Sequence, residues 1–361
     1  MNFLFLNSAR DWGGNEKWTR LAAHALSVDH QVSLAYRRDM VGERFAVETV
    51  KLPFVNGLDP VTIFGLTRFV RDRGINVLIP TKRKDYLLAG ITARITNITN
   101  ILRLGIVRRI SNPYHRFVYS ELAHGIIVNA RPIKETLLRS AFMTRDKVRV
   151  VYNGLDLDRL SPHLTEAVDP ISSTKPFPFL ISGMGRVTPR KGFDFLMRGF
   201  ARFITENHAP DAGLIIIGEG ERLEYLQKLA PSLGIAERTI FTGFVDNPYP
   251  YLAQSDLFAM TSRNEGISNA LLEAMYLHNA AITTRAGGAA DIVNHGENGF
   301  LVDHGDERGL SERIAALYQD RPAIRRIARA GHETVCKKFS IDRMKAEIVD
   351  FSERTRSRKC A

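Results

Sequence analysis

At 361 residues the chain is too long for one ordinary core and suits two domains of about 150 to 180 residues each. Its 44% hydrophobic and 25% charged residues are the proportions of a soluble globular protein, and no run approaches the roughly 18 to 20 apolar residues that span a bilayer. The charge is +11 and lies wholly in the first half: residues 1–165 hold 25 Lys+Arg against 14 Asp+Glu, and the remainder 25 against 25. That asymmetry points to an anionic partner, which leaves nucleic acid, an anionic membrane or a phosphorylated substrate, or else to solvated surface lysine and arginine.

Met1 to Asn7 is apolar, but it lacks a basic flank and meets Ser8-Ala9-Arg10-Asp11 too soon for a signal peptide. It reads as the first buried strand, Phe3 to Asn7, of a cytoplasmic protein. Only Cys336 and Cys360 are present, far apart, so neither a disulfide framework nor a zinc site is supported. Gly13-Gly14-Asn15-Glu16 then precedes a helical pattern through Trp18, Leu21, Ala22, Ala25 and Leu26. A glycine pair between a strand and a helix lets the backbone approach a ligand and aims the helix N-terminus at it; a plain tight turn fits equally.

Gln31 to Tyr36 and Val47 to Leu52 read as strands, Leu66 to Arg73 as a helix, and Val77 to Pro80 as the next buried strand. Short apolar runs alternating with amphipathic stretches predict a doubly wound parallel α/β sheet. The loop Thr81-Lys82-Arg83-Lys84-Asp85 falls at the carboxyl end of a parallel strand, where open sheets bind ligands. Its three cations suit an acceptor phosphate or a lipid headgroup, and suit a solvated turn as well. Ile98 to Val107 is apolar with Arg103 embedded, and Arg108-Arg109 and a turn from Ser111 to Arg116 follow. Gly125 to Ala130 is a strand, Pro132 to Phe142 its helix, and Val148 to Asp156 closes the first domain, 1–165. His115 and His124 are the histidines here that chemistry could use, although packing explains each by itself.

Residues 166–178, with three prolines and no apolar periodicity, read as a linker to a second domain at 179–340. This domain opens with strand Phe179 to Ser182, the basic loop Gly185-Arg186 to Lys191-Gly192, and a helix with Phe193, Leu196, Phe200 and Phe203 on one face. Lys191 is outside any Walker P-loop. Strand patterns recur at Leu214 to Ile217, Thr239 to Val245, Asp256 to Met260 and Ala281 to Thr284. Helical patterns at 308–319 and 322–337 precede a last segment, 341–361, whose helix is expected to pack toward the first domain and whose basic tail from Arg354 to Lys359 is expected to be disordered.

The most informative stretch is Arg263 to Met275, which sets Glu265 and Glu273 eight positions apart across a small-residue loop that runs into an apolar helix. A helix capped by Ser268 or Asn269 would present N–H groups to an anion, with Glu273 on its second turn and Glu265 just outside. One ligand with a phosphate and two hydroxyl-bearing parts fits that spacing, and a sugar nucleotide has this layout.

In one chain order, Gly13-Gly14-Asn15-Glu16, Tyr152-Asn153-Gly154-Leu155-Asp156, Gly185-Arg186 with Lys191-Gly192, and Glu265-Gly266-Ile267-Ser268-Asn269 through Glu273 resemble the retaining glycosyltransferases of family 4. The resemblance is dense from about 148 to 340. It implies the GT-B fold, two Rossmann-like doubly wound parallel-sheet domains facing a central cleft. It also implies that Glu273 holds the ribose, that Glu265 contacts the donor sugar with backbone from Gly266 to Asn269, and that Arg186 and Lys191 neutralise the leaving diphosphate. Gly13, Gly14 and Gly185 would approach that diphosphate, and Phe244 and Val245 would border the base. No cofactor or metal is implied, because the cations do a metal's work. A first-domain histidine common among relatives is missing from Ile101 to Val107; Arg103 or His115 is the implied substitute, with Lys82, Arg83 and Lys84 as further acceptor-side candidates.

The expectation is therefore a transferase that moves sugar from a nucleotide-diphosphate donor, a UDP-sugar by preference, to a lipopolysaccharide, capsular or lipid-linked glycan. It would work in the cytoplasm, with the basic domain against the inner membrane surface and no nucleic-acid partner. A nucleotide-sugar epimerase of the same fold and a non-catalytic sugar-nucleotide-binding protein are the rivals.

Overall fold

The computed structural model describes residues 1–106, 110–165 and 175–360; Val107, Arg108 and Arg109 and most of the expected linker, 166–174, lie outside the described residues. The chain divides into two compact units, 1–154 with 341–361, and 155–340.

The first unit is built on seven strands: β1 (Asn2–Asn7), β2 (Gln31–Tyr36), β3 (Glu48–Lys51), β4 (Val77–Pro80), β5 (Thr99–Leu104), β6 (Gly125–Val128) and β7 (Val148–Val150). They pair in parallel in the order β3-β2-β1-β4-β5-β6-β7. Strands covered on both faces read as continuous apolar runs, and Phe3 to Leu6 accordingly have no exposed surface. The strand order reverses between β1 and β4, the place where such sheets leave a crevice for ligands.

The second unit carries β8 (Phe179–Met184), β9 (Ala212–Ile217), β10 (Thr239–Gly243), β11 (Leu257–Met260), β12 (Ala280–Thr284) and β13 (Phe300–Val302). Their order, β10-β9-β8-β11-β12-β13, is again parallel and reverses between β8 and β11. The helix Phe193–Asn207 buries Phe193, Leu196, Phe200 and Phe203 as its periodicity predicts, and Phe179, Phe203 and Tyr318 pack edge to face.

Three differences from the sequence reading have local causes. Residues 155–165, expected in the first domain, belong to the second unit: Leu155 N donates to Phe339 O at 2.7 Å, Tyr276 Oη donates to Leu157 O, and His163 packs on Tyr249. The helix expected from Leu66 starts at Pro60, where Asp59 caps it by accepting from Val61 N at 3.1 Å; the exposed Val61 and Phe64 blur its apolar stripe. The basic tail is the end of helix Ile341–Cys360 in the first unit. Thr355 is buried against Gly125, Arg354 pairs with Asp350, and Arg358 pairs with Asp146, which together order a segment that composition alone marks as disordered.

Candidate functional site

In the second unit the Glu265 loop and the Lys191 loop meet at the carboxyl ends of β8 and β11. After β8 the chain makes one tight turn, Pro189–Lys191, and closes at Gly192 with φ +65°. A Cβ at Gly192 would stand 2.3 Å from Thr261 O, so glycine is required for the turn to lie against the end of β11. The Lys191 side chain crosses the face of Gly185 and places Nζ 2.7 Å from Glu265 Oε1. Arg190 Nη1 is 3.5 Å from the same oxygen, and Ser262 Oγ donates to it at 3.3 Å. Arg190 also donates to Asn264 O at 3.0 Å, while its own carbonyl accepts from Arg263 N.

The far side of this loop is fixed by Gly287, at φ +55°, where a Cβ would fall 1.5 Å from Glu265 O. Gly288 N donates to Gly266 O at 3.1 Å. Ile267 is 6% exposed and anchors the loop in the core, and Ser268 caps helix Asn269–Tyr276 by accepting from Leu271 N. Glu273 is half-buried on that helix beside Tyr249, whose phenol is pushed up to about 12 by burial first and by the Glu273 charge second.

The structure thus brings Gly185, Lys191, Glu265, Gly266, Ile267, Ser268 and Asn269 into one loop pair, with Glu273 a turn further on. Arg186 is exposed and makes no ion pair among the described residues. Phe244, 64% exposed, and the half-buried Val245 follow β10. Arg190, which the sequence reading passes over, is the second cation on Glu265; the Arg-Lys pair before Gly192 was its visible signal. The reading that the chain shows no Asp-x-Asp triplet, a pattern that argues for a metal-held diphosphate, is corrected by Asp156-Leu157-Asp158. Asp156 caps helix Leu157–Leu160 by accepting from Arg159 N at 3.2 Å. Among the described residues no group of three or more His, Cys, Asp or Glu is placed to hold a metal ion.

In the first unit, Gly13 is the extended residue before helix Gly14–Ser27, and a Cβ on Gly14 would meet nothing within 4 Å. The next two residues converge with the β4 and β5 loops. Glu16, 2% exposed, accepts from Lys82 at 2.6 Å and from Asn7 Nδ2 at 3.3 Å. Asn15 Nδ2 donates to Thr81 O at 2.9 Å and Asn15 Oδ1 accepts from Arg103 Nη1. Arg103 is 5% exposed and stacks on Trp18, 4.3 Å from the ring centre; burial pushes its guanidinium down to about 10, so it stays cationic at neutral pH. Asp85, fully buried, accepts from Ser8 N at 3.0 Å.

Arg83 and Lys84 face solvent outside this network. His115 sits in the turn before a wide helical turn, Phe117–Glu121, where its Nδ1 accepts from Ser111 N and its ring packs edge-on to Tyr119. Tyr119 packs on Tyr86, which donates to Arg103 O at 2.6 Å, so two tyrosines stand between His115 and Arg103 along these contacts. His124 accepts from Asn100 N at 3.0 Å, a packing role, and burial holds its pKa down to about 4. Asn15 and Glu16 carry the first unit's network; they appeared in the sequence as part of a motif and not as site residues.

Two parallel six- and seven-stranded α/β units with this strand order define the GT-B fold. Anabaena HepE, solved in complex with UDP, superposes with a TM-score of 0.82 over 97% of this chain and 99% of its own, at 20% identity. A glycosyltransferase from Rickettsia africae gives 0.85 over 98% of each chain at 17% identity. Residues 178–320 match the family model described as Glycosyl transferases group 1, so the second unit is a domain of that family. The lipopolysaccharide core biosynthesis glycosyltransferase LpsE of Rhizobium meliloti is 36% identical over 161 residues, covering 45% of this chain and 46% of LpsE. The chain spans about half the length of the curated relatives it matches.

Proposed function

We propose that the chain is a retaining glycosyltransferase that moves a sugar from a nucleotide-diphosphate donor, a UDP-sugar by preference, to a lipopolysaccharide, capsular or lipid-linked glycan. The observation that carries this reading is the Lys191–Glu265 pair, held at 2.7 Å beside a serine-capped helix start. Breaking a glycosyl phosphate bond builds positive charge on the sugar and negative charge on the departing diphosphate. A fixed cation, Lys191, and a fixed carboxylate, Glu265, side by side match that separation, and both serve the transition state better than the ground state. Arg190 keeps Glu265 neutralised when Lys191 turns to the diphosphate, and exposed Arg186 is free to join it.

Glu273 takes the ribose hydroxyls in this reading, and Phe244 and Val245 border the base. The diphosphate is neutralised by arginine and lysine, without a metal. The exposed Arg83 and Lys84 are the acceptor-side groups, and the basic first unit rests on an anionic membrane surface from the cytoplasmic side. The HepE complex with UDP and the name of LpsE support the donor and acceptor classes.

Product analysis after incubation with UDP-sugars, with and without membrane extract, tests this reading. Glycan formed only with extract is the expected result. Conversion of the donor without extract identifies an epimerase, and donor binding without turnover a non-catalytic binder; either removes the transferase. Vesicle sedimentation at low salt tests the membrane contact, and equal pelleting with neutral and anionic lipid removes it.

A further inference from the structure

The first unit has a second basic region, on the opposite edge of its sheet from the loops just described. A cavity of about 700 Å³ opens between the approach to β7 and the end of helix Ile341–Cys360, a size that suits a small-molecule ligand. Val148, the first residue of β7, lines it, and so does Phe351, which packs on Gly125, the first residue of β6. The cavity is therefore at the amino ends of β6 and β7, whereas Asn15, Glu16 and Lys82 sit beyond the carboxyl ends of β1 and β4. A strand of four residues separates the two edges by about 13 Å.

Five cations line this cavity: Lys134, Arg145, Arg149, Arg354 and Arg358. The lining carboxylates are Asp146 and Glu353, with Asp350 just behind. Arg149 and Arg354 share Asp350 at 3.2 and 2.8 Å, and Arg358 takes Asp146. Lys134 and Arg145 have no ion pair among the described residues. Burial and then the charges of Arg149 and Arg145 hold the Lys134 ammonium below the usual lysine range. Cations gathered in a concave site repel one another unless an anion joins them. The guanidinium forks and the ammonium offer many donors to a tetrahedral oxyanion. The apolar floor of Val148 and Phe351 adds room for a carbon body next to the charge.

We propose that this cavity is a binding site for an anionic phosphate group, separate from the transfer site. Its ligand is either a lipid-borne headgroup or a soluble phosphate compound, and either one holds the closing helix against β7. The inference does not depend on the transferase reading.

The test is titration of the full chain with sodium pyrophosphate at low salt, together with sedimentation on phosphatidylglycerol and on phosphatidylcholine vesicles. Each probe is compared between wild type and a Lys134→Ala/Arg145→Ala variant. Neither side chain has an ion-pair partner to lose, so the variant is expected to melt no lower than wild type without anion. Pyrophosphate is expected to bind wild type at least tenfold more tightly than the variant and to raise only the wild-type melting temperature, while UDP binds both alike. Retention on phosphatidylglycerol that the variant loses names a lipid headgroup as the source. Tighter pyrophosphate binding with equal retention on both vesicles names a soluble phosphate. Wild type and variant behaving alike with every probe overturns the site, whatever the outcome of the sugar-transfer assays.

Discussion

Each unit sets one lysine against one glutamate beyond the carboxyl ends of its central strands: Lys82 and Glu16 at 2.6 Å in the first, Lys191 and Glu265 at 2.7 Å in the second. The surroundings separate them. Glu16 stands in the first turn of a long helix with its side chain 3% exposed, and its other partners are the neutral amides of Asn7 and Asn15. Glu265 sits on a loop with its side chain 12% exposed, and it keeps a second cation, Arg190, and the Ser262 hydroxyl. The pair in the first unit is a joint that ties β1, β4 and β5 together. The pair in the second unit can open toward a ligand without stranding a charge. Similar ion pairs thus serve architecture in one unit and, in the proposed function, chemistry in the other, and what decides is whether the carboxylate keeps a second cation.

Truncating the two lysines is the sharpest way to break that contrast. Lys82→Ala leaves a buried carboxylate with only amides, and losing one partner of a buried pair costs about 3 to 5 kcal/mol. The loss should appear as a lowered urea midpoint in the first unit's transition, and a midpoint unchanged within error would show that the joint carries no stability. Lys191→Ala should act in the opposite way. Removing one preorganised charge-stabilising group costs on the order of 10² to 10³ in turnover. Arg190 and Ser262 keep Glu265 satisfied, so the stability cost stays under about 1 kcal/mol. Steady-state rates with a UDP-sugar and the urea midpoint of the same preparation check both halves; wild-type turnover would remove Lys191 from the site.

The same contrast explains what was legible from the chain. Glu265, Ser268 and Glu273 are close in sequence, so the spacing alone places them on one loop and helix, and Lys191 comes with the glycines that shape its turn. The first unit's network joins Asn7, Asn15, Thr81 and Arg103 through hydrogen bonds that span up to 88 positions, and only the parallel pairing of β1 with β4 and β4 with β5 brings them together. Arg103 read as a cation inside an apolar run. Its burial beneath Asn15 and against Trp18 depends on tertiary packing that no local pattern carries. The tail misread as disordered fails for a related reason: its composition is polar, but Phe351 and Thr355 meet Gly125 of β6 from far along the chain.

Asp85, one turn beyond Lys82, gives the finest test of a locked first unit. Burial is the main cause that pushes its carboxyl up from 3.8 to about 6, against the pull of Ser8 and the charges of Lys82 and Lys84. The folded state therefore favours the protonated acid. Its stabilising contribution is complete below pH 3.8 and is lost as the pH rises through about 6, a change of about 3 kcal/mol at about 1.4 kcal/mol per tenfold. His124, in the same unit, works the other way: with its folded pKa held near 4, its contribution is present above pH 6.5 and is lost as the pH falls. The two slopes offset each other between pH 4 and 6.5 in the wild type. Asp85→Asn keeps an oxygen for Ser8 N and removes one slope. The variant should gain about 3 kcal/mol on wild type between pH 4 and pH 7, and its stability should rise with pH where that of wild type is flat. Urea denaturation at four pH values across this range measures the difference, and a gap between variant and wild type that does not change with pH would mean that Asp85 is ionised at no cost, in a site far more open than its packing indicates.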